Sequence, residues 1–294
     1  MSRGQGKRNQ HHKNNGNGNG SSSRSRGRKS RNRQGKRAQQ FEAKPNYKEN
    51  ELIRINKFIA HAGYCSRRDA DTLVADGKVT INGETVTELG TKIRRSDTVK
   101  VEGQSLRLEP YVYILLNKSR DTISTTDDEK DRRTVLDQIN DATGNRVYPV
   151  GRLDRNTTGL LLLTNDGDLA NRLMHPSYEI LKVYEVETKY TMNESDFEAF
   201  INGVELDDGP AKAHSIKQFI DDNRAFEIAL HQGRNRQIRR MVEAVNNEVV
   251  RLKRIEYAGL TLKDVRNGRW RYLKSNEVNR LRNLVKLAPL NFNK

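Results

Sequence analysis

The sequence predicts an α+β protein: a small helix–hairpin domain, then a larger mixed domain containing antiparallel hairpins. Three observations predict it. Asn82-Gly83 separates two short segments rich in β-branched residues, a strong hairpin signal. Residues 182–190 alternate at period 2, and residues 216–220 and 226–230 flank a second turn at 221–224. Leu160, Leu161, Leu162 and Leu163 form a continuous apolar run, as in a strand covered on both faces.

Residues 1–50 hold little that is apolar, so burial cannot repay the entropy of ordering them; a disordered tail is expected. They carry +12 of the chain's net +16, which makes the tail a polycation suited to phosphate contacts. Its His11 and His12 read as tail composition, not as a metal site.

Residues 52–103 form the small domain. Ile55, Phe58, Ile59 and Ala62 fall at helical spacing, and Gly63 ends that helix. Ser66 suits an N-cap, with Asp69 three residues on. Ala70, Leu73 and Val74 give the next apolar face, and Gly77 the stop. Residues 104–110 read as a linker ending at Pro110.

The larger domain spans 111–288. Strands are expected at 111–116, 147–150, 249–255 and 270–273, with a short helix around Val135, Leu136 and Ile139. Tyr184, Val186, Thr188 and Tyr190 share one face of the alternating strand. Helices are expected at 168–174 and at 194–202, where Gly203 is the stop. A further helix at 236–245 carries the stripe Ile238, Met241, Val242 and Val245. Ser275 begins a last helix that buries Leu281 and Leu284.

The basic excess points to a polyanionic partner, nucleic acid before membrane. No apolar run approaches the ~20 residues that span a bilayer, and the N-terminus lacks the apolar core of a secretory signal. The single cysteine, Cys65, excludes an internal disulfide and a Cys-rich metal site, and a reducing cytoplasm is the expected compartment.

Chemistry concentrates in residues 151–167, GRLDRNTTGLLLLTNDG. A polar loop runs into the four-leucine strand and leaves through the turn residues Asn165, Asp166 and Gly167. Asp154 stands between Arg152 and Arg155, neighbours able to keep a carboxylate ionised for nucleophilic or general-base work. The stretch resembles the signature loop of the RNA pseudouridine synthases, in particular the RsuA/RluB branch. Lys182-Val183-Tyr184 resembles that family's K-x-Y motif, and residues 232–241, QGRNRQIRRM, resemble its third motif, with Gln232 where an acidic residue is usual.

The resemblance implies a central, mostly antiparallel mixed sheet with the aspartate in a cleft. It places the catalytic role on Asp154, base stacking on Tyr184, and pairing with the aspartate on Arg239. Arg152 would fill the gap left by the displaced base, and Arg236 and Arg240 would face solvent or RNA. The small domain resembles the S4 RNA-binding domain, with Arg54, Asn56, Lys57, Ser66, Arg67 and Arg68 at its polar positions. The implied reaction is isomerisation of uridine to pseudouridine, with no cofactor and no metal. The run 171–177, NRLMHPS, and the S4-like domain favour large-subunit (23S) ribosomal RNA as partner, with the protein acting as a monomer. The competing expectation is a non-catalytic RNA-binding ribosome-assembly factor. An aminoacyl-tRNA synthetase is set aside, for neither a HIGH-like nor a KMSKS-like motif is present.

Overall fold

A computed structural model describes residues 43–45, 47, 51–219 and 222–292. The first module opens with β1 (Ile53–Arg54), α1 (Ile55–His61) and α2 (Arg67–Ala75). α1 buries Ile55, Phe58 and Ile59, and the chain turns at Gly63, where φ is +76°. α2 carries the expected capping box: Ser66 Oγ accepts the Asp69 N–H, and the Asp69 carboxylate accepts the Ser66 N–H. β2 (Val79–Ile81) and β3 (Glu84–Val86) pair across Asn82 and Gly83, both at positive φ as a type I′ turn requires. β4 (Lys92–Ile93) pairs with β1, and β5 (Val99–Val101) with β2. β6 (Gln104–Ser105) then pairs with β5, and Leu106 and Leu108 pack on the module's core. The expected linker at 104–110 is therefore built into the module at its start. Its two leucines alternate with polar residues and have an apolar surface to cover.

The larger part contains β7 (Tyr113–Lys118), β8 (Tyr148–Pro149), β9 (Thr158–Thr164), α3 (Gly167–Met174) and β10 (Lys182–Thr188). It continues with α4 (Glu194–Asn202), β11 (Ser215–Gln218), β12 (Ala225–Leu230), α5 (Gln237–Ala244) and β13 (Val249–Tyr257). β14 (Leu260–Thr261), β15 (Trp270–Tyr272) and α6 (Ser275–Leu284) complete it. Nine strands form one sheet in the order β11-β12-β10-β13-β9-β7-β15, with β14 added to β13 and β8 to β9. All its pairings are antiparallel except β13 with β9. Those two run parallel over only two residue pairs, Lys253 with Thr158 and Arg254 with Gly159. This short seam joins two antiparallel halves of the sheet.

All four leucines of 160–163 are fully buried. Leu160 and Leu162 face α3 and α6, while Leu161 and Leu163 join Leu153 and Tyr184 on the other side. The first module docks on this part. Lys57 Nζ lies 2.9 Å from the Asp168 carboxylate, and the His61 ring stacks on Tyr111 with centroids 4.9 Å apart.

Several expectations are corrected. The helix around Val135, Leu136 and Ile139 is two successive tight turns, closed by Ile139 N–H to Leu136 O and Ala142 N–H to Ile139 O. Thr134 and Asp137 exchange the two bonds of a capping box, the carboxylate accepting the Thr134 N–H and the hydroxyl accepting the Asp137 N–H, but only turns follow that cap. The strand expected at 111–116 begins two residues later, at Tyr113. Leu284 is 49% exposed, and Val278 takes the buried place. Tyr190 lies past the end of β10 and is exposed. Ile220 and Asp221 of the second hairpin lie outside the described residues; its two strands pair as expected. Most of the expected tail, 1–50, also lies outside them. Ala43 and Tyr47, however, are buried: Ala43 bridges Tyr111 and Phe292, and the Tyr47 hydroxyl bonds His61 Nδ1 at 3.0 Å.

Candidate active site

The loop between β8 and β9 is tied at every turn. Val150 N–H donates to Leu162 O (2.7 Å), and Gly151 N–H reaches Met174 Sδ (3.0 Å) at a φ of +75°. The Ser124 hydroxyl brackets Leu153, accepting its N–H at 3.1 Å and donating to its carbonyl at 3.0 Å. Thr157 N–H closes a turn on the Asp154 carbonyl at 3.0 Å. Beneath it, fully buried Lys118 donates to the carbonyls of Thr157 (2.7 Å), Ser119 (3.1 Å) and Arg155 (3.2 Å). Asp154 is left half-buried at the rim of this braced loop.

The carboxylate does not sit in the expected arginine vice. Arg155 Nε pairs with Asp121 at 3.2 Å, and Arg152 is exposed. Adjacent side chains diverge in a tight turn, which is why sequence neighbours are not its partners. The cations that feel Asp154 come from elsewhere. Burial lowers the proton affinity of both Lys118 and Arg239, and the charge of Asp154 opposes that in each.

Tyr184 is partly buried and packs on two clusters, one holding Leu153 and the other Ile238, Met241 and Val242 of α5. It thus stands between the Asp154 loop and α5. α5 starts at Gln237, and Arg236 precedes it in a left-handed conformation, φ +48°. Arg239 Nη1 donates to Val249 O at 3.1 Å, while its buried Nε has no partner among the described residues. The expected Arg239–Asp154 ion pair is not closed at contact distance. Arg236 is exposed and lies 3.7 Å from Glu243. Arg240, expected to face solvent or RNA, is held by Asp208 through bonds of 2.8 and 3.0 Å. Arg234 grips the same loop, so these two arginines fasten residues 208–210 to α5.

The polar positions of the small domain also divide. Asn56 is 5% exposed and donates to both Asp71 carboxylate oxygens, Lys57 is spent on Asp168, and Ser66 is a helix cap. These three serve the fold. Arg54, Arg67 and Arg68 are exposed. Lys118, Ser124 and Arg254 were not singled out from sequence. A lysine ending the apolar strand of 113–118 was the available signal for the first; a serine 29 residues from its backbone partner offers none.

Residues 112–244 match the family model for RNA pseudouridylate synthase, and residues 53–99 that for the S4 domain. Ribosomal large subunit pseudouridine synthase B of Bacillus subtilis (strain 168) is 46% identical over 240 residues, 80% of this chain and 97% of that protein. The Vibrio vulnificus protein of that name is 37% identical, over 80% of this chain and 76% of its own. A crystal structure of a pseudouridylate synthase superposes with a TM-score of 0.57 at 29% identity, covering 78% of this chain and 99% of that one. An S4 module joined to such a sheet defines an RNA-modifying isomerase. The chain belongs to the RNA pseudouridine synthase family.

Lys118 yields a first prediction. Burial brings it to about 8, below the ordinary lysine value of 10.5, and Lys182 is likewise brought to about 8, by burial and the Arg254 charge. Lys182 Nζ grips the carbonyls of Ile180 (2.8 Å) and His231 (2.7 Å). Between pH 8 and 10.5 the unfolded chain holds protons that the folded chain has lost, so these groups add stability as pH rises through that window. The charged grip on both loops is lost over the same range. Turnover is expected to fall above about pH 8, and Lys118→Met to lower kcat by ~10²-fold through a displaced Asp154. In that variant the alkaline fall loses one of its two proton steps, which a pH–rate profile reads directly.

Proposed function

We propose that the protein isomerises one uridine of large-subunit (23S) ribosomal RNA to pseudouridine, with Asp154 as the reacting carboxylate. The observation that carries this is the Asp154 loop: a half-buried carboxylate braced by Lys118 and Ser124, within the field of Arg239 and separated from α5 by Tyr184. The names of the Bacillus and Vibrio relatives support the choice of ribosomal RNA. In the reaction the N1–C1′ bond breaks, uracil turns within the site, and C5 bonds to C1′. The C5 proton is lost and N1 gains one, so nothing is oxidised or hydrolysed. Tyr184 holds the turning base by stacking, worth ~1–3 kcal/mol, which offsets part of the cost of flipping it. Arg239 brings positive charge toward Asp154, and Arg152 fills the gap left by the extruded base. Arg54, Arg67, Arg68 and Arg236 contact phosphates. In this reading the protein works as a monomer in the cytoplasm. No helix among the described residues is long and apolar enough to cross a membrane.

The test is pseudouridine mapping of ribosomal RNA in cells lacking the protein, carrying it unchanged, or carrying Asp154→Asn. One site present only with the unchanged protein supports the proposal. Loss of no site in the cells, followed by no product from purified protein on RNA fragments, overturns it in favour of an assembly factor. The basic segment gives a second prediction. Removing residues 1–40, which keeps buried Ala43 and Tyr47, is expected to weaken RNA binding and flatten the slope of log affinity against log salt. An unchanged slope would show that the segment makes no phosphate contacts.

A further inference from the structure

Apart from the Asp154 loop, a cavity of about 400 Å³ is lined by Glu179, Lys212, His214, His231 and Gln232, with the C-terminal end of α4. His231 follows β12 and His214 precedes β11, and their rings meet edge-to-face with centroids 4.6 Å apart.

Their hydrogen bonds determine where the protons lie. His231 Nδ1 is 2.5 Å from the Glu179 carbonyl oxygen. A carbonyl can only accept, so Nδ1 carries the hydrogen, and in the tautomer with that one N–H the other nitrogen, Nε2, is an acceptor. That Nε2 lies 3.2 Å from His214 Nδ1, which must then be the donor. The one nitrogen left over, His214 Nε2, is an acceptor with no donor among the described residues. The chain from Glu179 through His231 thus presents a lone pair at the exposed end of the pair.

The cavity is of a size that holds one small ligand. No cluster of three or more metal-ligating side chains occurs among the described residues, so the lone pair does not belong to a metal site of that kind. The cavity is also tied to the strand of Tyr184. Leu230, next to His231, pairs with Lys182, and Ile228 pairs with Tyr184. Lys182 Nζ holds the His231 carbonyl at 2.7 Å. His231 therefore stands three residues along the ladder from Ile228, the partner of Tyr184, about 10 Å at strand rise, and Tyr184 packs in one cluster with Val186 and α4.

We propose that this cavity binds the base of a nucleotide neighbouring the target uridine, one that carries an exocyclic amino group. Such a base, adenine, cytosine or guanine, donates an amino N–H to His214 Nε2 and stacks on an imidazole face, while uracil has no exocyclic amino group and offers only its N3–H between two carbonyls. Lys212 and the Gln232 amide supply the phosphate and edge contacts. The inference rests on the pseudouridine synthase reading and deepens it, by naming a determinant of which uridine is chosen.

The experiment compares the unchanged protein, His214→Ala and His214→Gln on an RNA fragment of natural sequence. A panel of the same fragment replaces each flanking base in turn with an analogue lacking its amino group: purine riboside, inosine or a pyrimidinone riboside. His214→Ala is expected to lower kcat/KM about 3- to 10-fold, the scale of one neutral hydrogen bond, through KM and not kcat. His214→Gln recovers part of it, because its amide oxygen can accept. One RNA of the panel costs the unchanged protein the same amount, and His214→Ala adds nothing on that RNA. An equal loss on every RNA, or no loss on any, overturns the proposal. RNA affinity is measured in parallel. If the unchanged protein makes no pseudouridine, the isomerase reading falls, and the cavity is still decided by whether the His214→Ala affinity loss follows one base.

Discussion

Asp154→Asn is expected to abolish isomerisation, by ~10⁴-fold or more, while RNA affinity stays within a few-fold. The substitution keeps the shape of the side chain and removes its charge and basicity. The loop has little reason to move. Its bonds run through the backbone of Val150, Gly151, Leu153, Arg155 and Thr157, and none of them uses the Asp154 carboxylate. Affinity should survive because it rests mainly on phosphate contacts spread over the exposed arginines. Single-turnover rates and equilibrium binding on one RNA fragment separate the two effects. Retained activity in the purified variant would remove Asp154 from the chemistry; lost affinity with lost activity would make it a binding residue instead.

Much of this arrangement was legible in the sequence, and for identifiable reasons. Helix caps and two-residue turns are local, so the Ser66–Asp69 box and the Asn82-Gly83 hairpin followed from residue types and spacing. The four-leucine strand followed from its unbroken apolar run. What could not be read were pairings set by the folded chain. Asp154 has arginines on both sides in sequence, yet it is felt by Lys118 from β7 and Arg239 from α5. Arg240 falls on the polar side of its helix, yet a loop more than 30 residues earlier brings Asp208 to it. Asn56 and Lys57 look like a basic, polar helix face; one is buried on Asp71, and the other joins the two modules through Asp168. Residue type announces that a group must be partnered, but only topology chooses the partner.

The seam between β9 and β13 gives the prediction with the largest effect on the fold. Gly159→Ala is expected to destabilise the protein by about 3–5 kcal/mol, lowering Tm by about 10 °C. Gly159 sits at φ +106°, and a Cβ there would lie 2.2, 2.7 and 2.9 Å from the O, N and C atoms of Arg254. All three are backbone atoms of a sheet strand, so no side-chain rotation relieves the contact, and β9 and β13 must part. The parallel pairing extends over two residue pairs only, and the rest of the seam depends on Arg254. Arg254 is 3% exposed, donates from Nε to Leu160 O at 2.7 Å, and lies over the Tyr257 ring at 4.7 Å. Parting the strands breaks that bond as well and leaves a buried guanidinium unsatisfied. Gly209→Ala is the control: its φ is +95°, but nothing lies within 4 Å of the added carbon, so it carries backbone strain of ~1–2 kcal/mol without the collision. Equal losses in the two variants would reduce the seam to a matter of φ alone. A much larger loss in Gly159→Ala, with activity falling further than stability explains, would show that the seam sets the distance between Asp154 and Tyr184. The first leads into β9 and the second stands on β10, and β13 is the strand between them.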